Sequence, residues 1–435
     1  MFHTYDEAVE WIHSLLNHGI KPGLQRMEWL LERVGNPERR LKCVHVGGTN
    51  GKGSTISLMR HILQDAGFVT GTFTSPYIKT FNERIAVDGE PIPDEDLLAI
   101  VNDIYPLVKE VEETDLGSPT EFEVITLIGL IYFGKVAYPD IVLIEVGLGG
   151  RLDSTNVIYP LVSVITNVSY DHMHILGHRI EEIAFEKSGI IKSGVPVVTT
   201  IEKEEALEIV EEAAVSKSSK MYRLGSEFNY NNVTYTDEGE HFDFSSPYKT
   251  YEQLPLKMKG PHQVKNASAA LMALEYLRTF YGVHYTEENL RKGLEKASWV
   301  GRFEEISESP KIILDGAHNV DGVKSLAETI SQFYPEKNVK VIFAALKDKD
   351  FDSMLQHLYP IVKSMTFTSF DFPRAAKAEE LYEAAKFENK MAVENWRDAI
   401  GLELDNITEN EMLIVTGSLY FISDVRKFLK NEKEF

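Results

Sequence analysis

CVHVGGTNGKGSTISLMRHILQDA, residues 43–66, decides the reading of this chain. Cys43 to Val46 is a short apolar run suited to a buried strand, and residues 53–66 return apolar side chains at helical spacing. Between them lies GGTNGKGST, Gly47 to Thr55. Glycines let backbone N–H groups curl around phosphate oxygens. The helix start that follows adds partial positive charge. In such a loop Lys52 neutralises phosphate, and Ser54 or Thr55 holds magnesium. The loop departs from the Walker pattern, because Val46 stands where the first glycine belongs and Gly53 separates Lys52 from Ser54. The plain alternative is a glycine-rich turn with a solvated lysine. The flanking strand and helix weigh against it.

Outward from this loop the alternation continues. Residues 4–16, opened by a Thr4/Glu7 capping box, and residues 25–34 read as helices. Residues 94–111 and 121–138 have helical periodicity. Residues 69–74, 141–146, 161–168 and 195–200 read as strands; the run at 141–146 is apolar without alternation, as in a parallel strand covered on both faces. Such a βα series implies a parallel sheet with right-handed crossovers. Residues 221–259, rich in Tyr, Asn, Asp and Ser, read as small antiparallel strands at a sheet edge. Helices resume over 264–281 and 287–297. A second series follows, with strands over 312–314, 339–346, 364–370 and 412–416. The expected fold is α/β: a P-loop NTPase-like, mostly parallel sheet domain over 1–297, then a smaller Rossmann-like α/β domain over 298–435.

The chain has 435 residues, which suggests two or three domains at about 150 residues each. Its 45 Lys+Arg against 67 Asp+Glu give a net charge of −22. Duplex nucleic acid and anionic membranes both require a basic footprint, so neither is an expected partner. The one cysteine, Cys43, excludes an intrachain disulfide and a multi-cysteine zinc site. The first residues show no secretory pattern, and no apolar run approaches the roughly 20 residues of a membrane span. A cytoplasmic protein is expected.

Three further stretches carry chemistry. IVLIEVGLGGRLDSTN places Glu145 at a strand tip, where open α/β sheets bind ligands. A carboxylate there resembles a Walker-B acid able to hold magnesium; a capped strand end is the alternative. NVSYDHMHILG brings His172 and His174 just after another strand. FEKSGIIKSG sets Lys187 on a helix, where a solvated face is the ordinary reading.

Taken in order, GTNGKGS, TSPYIKTFNERI, EVGLGGRLDSTN, DHMHILG, EKSGIIK, GPHQVKNASAA, GRFE, LDGAHN and TGSLYF resemble the folylpolyglutamate synthase family, including its bifunctional dihydrofolate synthase members, within the Mur ligase superfamily. The resemblance runs over roughly residues 40–422, with Tyr77 in place of a histidine frequent in relatives. It implies a Mur ligase central-type domain followed by a ligase domain. It implies an ATP-dependent amide ligase that phosphorylates a pterin-linked carboxylate and joins it to L-glutamate, with tetrahydrofolate or dihydropteroate as acceptor. The implied nucleotide contacts are Thr49, Asn50, Gly51, Lys52, Gly53, Ser54, Thr55, Asn266, Arg302 and Asp315. Two magnesium ions are implied, with Ser54, Ser75, Glu145 and His172 as ligands. Lys187 takes the place of an N6-carboxylysine, and His318 faces the γ-phosphate; both are implied catalytic residues. The implied folate side comprises Lys21, Pro22, Gly23 and Leu24, then Thr120, Glu121, Phe122 and Glu123, then Leu152, Asp153 and Ser154. Asn82, Glu83 and Arg84 form a nearby loop. A monomer acting on small molecules is expected. A peptidoglycan-precursor ligase is less favoured, because only 47 residues precede Gly48 and such enzymes place a nucleotide-sugar domain there.

Overall fold

The computed structural model describes residues 1–19 and 21–431. The chain forms two compact units. One comprises Met1–Asn231, Asp243–Leu254 and Lys265–Ala297; the other comprises Asn232–Phe242, Pro255–Val264 and the residues from Ser298 onward.

The first unit is built on eight strands: β1 (Cys43–Gly47), β2 (Thr70–Phe73), β3 (Ile85–Val87), β4 (Glu90–Pro91), β5 (Ile141–Glu145), β6 (Val162–Ile165), β7 (Val197–Thr199) and β8 (Met221–Arg223). Their order is β4-β3-β2-β5-β1-β6-β7-β8. Pairing is parallel from β2 to β8 and antiparallel for β3 with its two neighbours. β1 and β5 are buried at every position, which is why their sequences carry no polar alternation. Their register sets Val46 opposite Glu145, so the phosphate loop and the Glu145 carboxylate leave the sheet at the same edge.

Residues 229–256 differ from the expected extension of a sheet edge. β9 (Asn229–Thr236), β10 (Gly239–Ser245) and β11 (Thr250–Leu256) form a sheet of their own, in the order β11-β10-β9. Alternation is the physical reason. In β10 Phe242 and Phe244 are buried while His241 and Asp243 are half-exposed, and one-faced strands of this kind suit a small separate sheet. The expected helix over 121–138 is α-helical only over Glu121–Ile131 and continues as a π-helical segment, Tyr132–Ala137.

The second unit carries β12 (Glu304–Glu308), β13 (Lys311–Leu314), β14 (Asn338–Phe343), β15 (Val362–Ser369), β16 (Lys390–Asn395) and β17 (Glu411–Thr416). The order is β12-β13-β17-β14-β15-β16, parallel except for β12 on β13. Sequence patterning does not reveal β12 and β16. Both are edge strands, largely polar and only partly covered, so neither carries a continuous apolar run.

Candidate active site

The loop after β1 is shaped by two glycines with positive φ. Gly48 has φ +140°, and a Cβ there would meet Thr166 Oγ1 at 2.0 Å. Gly51 has φ +85°, caps the helix Lys52–Asp65, and lies against the Asn266 amide, whose Oδ1 would be 2.3 Å from a Cβ. No other residue type fits either position without strain. The loop is braced from the end of β6. Asn167 Oδ1 accepts from the N–H groups of Thr49 (3.1 Å) and Asn50 (2.8 Å), and Thr166 Oγ1 donates to the Asn50 carbonyl at 2.6 Å. The first rung of the helix ladder is Thr55 N–H to Gly51 carbonyl, so the N–H groups of Lys52, Gly53 and Ser54 precede it. Those amides, the Lys52 ammonium and the helix dipole make an anion site.

Lys52 Nζ donates to the carbonyls of Gly48 and Thr49, both at 3.2 Å, and lies 3.9 Å from Glu145 Oε1. Glu145 Oε2 accepts from the Ser75 N–H at 3.2 Å. Ser54 and Glu145 are buried. One carboxylate among hydroxyl and amide groups, beside a phosphate loop, suits magnesium, which takes one or two carboxylates and completes its shell with phosphate oxygens and water. Among the described residues no group of three or more His, Cys, Asp or Glu is assembled for a metal.

Lys187 lies near the end of the helix Ile180–Ser188 and is buried. Burial, reinforced by the Lys52 charge, lowers its amine from 10.5 to about 7, while Asp171 and Asp153 pull the other way. A buried lysine near these residues is not the solvated face that composition suggests. His172 is the N-cap of the preceding short helix, Met173–Leu176, in left-handed conformation (φ 50°), with its N–H donating to Asp171 Oδ1 at 2.8 Å.

Two of the sequence segments read as the folate side meet at the turn after β5. The Phe122 ring covers Gly147, where an added Cβ would come within 2.4 Å of it. Asp153 closes the same turn: Oδ2 accepts from Leu148 N–H at 2.8 Å and Oδ1 accepts from Thr155 N–H at 3.0 Å. Burial raises the Asp153 carboxyl against these donors. The Thr155 hydroxyl also donates to Asp153 Oδ1, and His45 Nε2 lies 2.8 Å from that hydroxyl oxygen. His45 therefore donates from Nε2, and burial lowers its pKa to about 3, keeping it neutral. Sequence reading missed His45, Thr155, Thr166 and Asn167. For His45, Thr166 and Asn167 the only signal is a polar residue inside or just after an otherwise apolar strand, and Thr155 lies in the short helical turn Ser154–Val157 with no such mark. Glu121 pairs with His13 at 3.0 Å, and Asn82 bridges Tyr5 Oη (2.8 Å) and Asp94 (2.7 Å).

In the second unit the turn after β13 is held by Asp315. Its Oδ2 accepts from Phe303 N–H at 2.8 Å and its Oδ1 from Ala317 N–H at 2.9 Å. Burial raises this carboxyl, opposed first by Arg302. Gly316 packs against Arg302, whose Nη1 would be 2.5 Å from a Cβ there. His318 Nδ1 donates to the Gly316 carbonyl at 2.8 Å, which leaves Nε2 as the acceptor of the neutral ring.

Residues 99–274 match the Mur ligase middle domain and residues 301–419 match the Mur ligase, glutamate ligase domain. Fold, loop and both matches thus define a Mur-type ligase. The chain is 46% identical to the dihydrofolate synthase/folylpolyglutamate synthase of Bacillus subtilis over 99% of this chain and 100% of that one. Among solved structures, Mycobacterium tuberculosis folylpolyglutamate synthase complexed with ADP and AMPPCP matches with TM-score 0.90 and 29% identity, covering 98% of this chain and 99% of that one. An FPGS–AMPPCP–folate complex matches with TM-score 0.85 and 33% identity, covering 98% of this chain and 100% of that one. The chain belongs to the folylpolyglutamate synthase family.

Proposed function

We propose that this chain is an ATP-dependent ligase that joins L-glutamate to the carboxylate of a pterin-linked acceptor, a reduced folate or dihydropteroate. The observation that carries this reading is the placement of Lys52 3.9 Å from Glu145 at the rim of one mostly parallel sheet. That arrangement serves phosphoryl transfer and requires no protein nucleophile.

In this reading the Lys52, Gly53 and Ser54 amides and the Lys52 ammonium hold the phosphates of ATP, with Thr49, Asn50, Gly51, Thr55 and Asn266 shaping the loop around them. Arg302, Asp315 and His318 are carried over from the family resemblance as further nucleotide-binding residues. Ser54, Ser75, Glu145 and His172 would hold magnesium at two sites, which supplies charge neutralisation to the transferred phosphoryl group when bound. Lys187, partly neutral near pH 7, is suited to capture CO2 as a carbamate and so becomes an anion beside that centre. The acceptor carboxylate takes the γ-phosphoryl group, releasing ADP. The glutamate amine then attacks the acyl phosphate, forms the amide and releases phosphate. The segments at Lys21–Leu24, Thr120–Glu123 and Leu152–Ser154 are assigned to the pterin-bearing substrate. Positioning and exclusion of water do the rest.

No helix among the described residues is long and apolar enough to cross a membrane. We place the enzyme in the cytoplasm as a monomer acting on small molecules. Incubation with ATP, magnesium, glutamate and either tetrahydrofolate or dihydropteroate tests the reading. Mass spectrometry should show a glutamyl-extended product in step with ADP release. ADP release that is indifferent to both acceptors would overturn it.

A further inference from the structure

Arg26 ties the stretch around Lys21 to residues 116–123, some ninety residues further along the chain. It lies in the first turn of the helix Gln25–Arg33, and its Nε donates to both oxygens of Glu123, at 2.9 and 3.1 Å. Nη2 donates to the Lys21 carbonyl at 2.8 Å, and Nη1 reaches the Leu116 carbonyl at 3.4 Å. Glu123 is 1% exposed. Its Oε2 also accepts from the Thr120 N–H (2.8 Å) and hydroxyl (3.0 Å), closing the capping box of the helix Glu121–Ile131. Lys21 Nζ donates to the Ser118 carbonyl at 3.0 Å, a second tie between the same stretches.

We propose that Arg26 is a positioning residue for the folate-type substrate, clamping the 21–24 and 116–123 segments together through the Glu123 carboxylate. This rests on the reading of those segments as the pterin-bearing side. Both oxygens of Glu123 are committed within the chain, so Glu123 acts through Arg26 and Thr120. The planar fork is what the site uses: three guanidinium nitrogens serve three separate groups, which a lysine ammonium on one flexible stem does not reproduce.

The test compares the full-length enzyme with R26K and with R26Q/E123Q, which removes both charges and leaves no buried carboxylate unpaired. In both variants KM for the folate acceptor should rise by about tenfold or more, with KM for ATP and kcat changed by less than about twofold. Hydrogen exchange in residues 21–24 and 116–120 should accelerate in both, measured without any substrate. If R26K fails to fold, the double variant decides. An equal rise in both KM values, or an unchanged acceptor KM in a folded variant, overturns the proposal, as does unchanged exchange. A wild-type enzyme with no acceptor-dependent ligation would instead overturn the functional reading, and the exchange measurement would still judge the clamp.

Discussion

The Lys52 ammonium stands 3.9 Å from Glu145 Oε1, while the other oxygen of that carboxylate accepts from the Ser75 N–H. One group suits phosphate and the other a divalent cation, and the parallel register of β1 and β5, with Val46 opposite Glu145, brings the loop and the carboxylate out at the same sheet edge. Glu145→Gln keeps the shape and the acceptor for Ser75 but removes the charge. Turnover should fall by roughly 100-fold or more, because preorganised charge at a phosphoryl-transfer site is worth that much. The thermal midpoint should stay close to wild type. Near-normal turnover across a magnesium titration would remove Glu145 from the metal site.

Gly48→Ala places a Cβ 2.0 Å from Thr166 Oγ1 at a residue with φ +140°. Thr166 anchors the Asn50 carbonyl, so relief of the clash displaces the loop. KM for ATP should rise by roughly tenfold or more, as strain of this kind costs on the order of 1–3 kcal/mol. Nucleotide titration by calorimetry checks it, and unchanged affinity would show that the loop adjusts freely.

Lys187→Met should abolish ligation and raise the thermal midpoint. The folded amine has a pKa of about 7 against the ordinary 10.5, so the unfolded chain binds the extra proton between these values. Stability from this group therefore rises with pH over that window and is lowest below it. The stabilisation by methionine should be largest at or below pH 7 and vanish towards pH 10. Intact-mass spectra of wild type in bicarbonate should show added CO2 that the variant lacks.

Glu411→Gln should cost stability at neutral pH and nothing in strong acid. Burial opposes ionisation of this carboxyl, yet Lys363 at 2.7 Å, the Thr408 N–H at 2.9 Å and Lys340 at 3.9 Å outweigh it and lower its pKa from 4.5 to about 2. A depressed carboxyl contributes stability above its unfolded value and loses it as pH falls through the folded one. The difference in thermal midpoint between wild type and variant should be full above pH 5 and shrink towards pH 2. A constant difference across that range would refute the assignment.

Local pattern is enough to read β1, the glycine loop and the helix after it, because a buried parallel strand, a turn requiring positive φ and a 3.6-residue period each leave a mark on neighbouring residues. The same holds for β5 and Glu145 at its tip. What escaped depends on partners far along the chain. β12 and β16 are strands only because a neighbour supplies hydrogen bonds to an edge, and their side chains say little of it. Asn167 braces Thr49 from 118 residues away, and Arg26 meets Glu123 from 97 away. Lys187 shows the limit most plainly. As a residue type it is a cation on a helix; burial beside Lys52 and Asp171 makes it an amine titrating near neutrality. Sequence by itself determined which groups are present and which local conformations they adopt. Tertiary structure decided their electrostatic state and their partners, because desolvation and hydrogen-bond geometry exist only once distant segments are packed together.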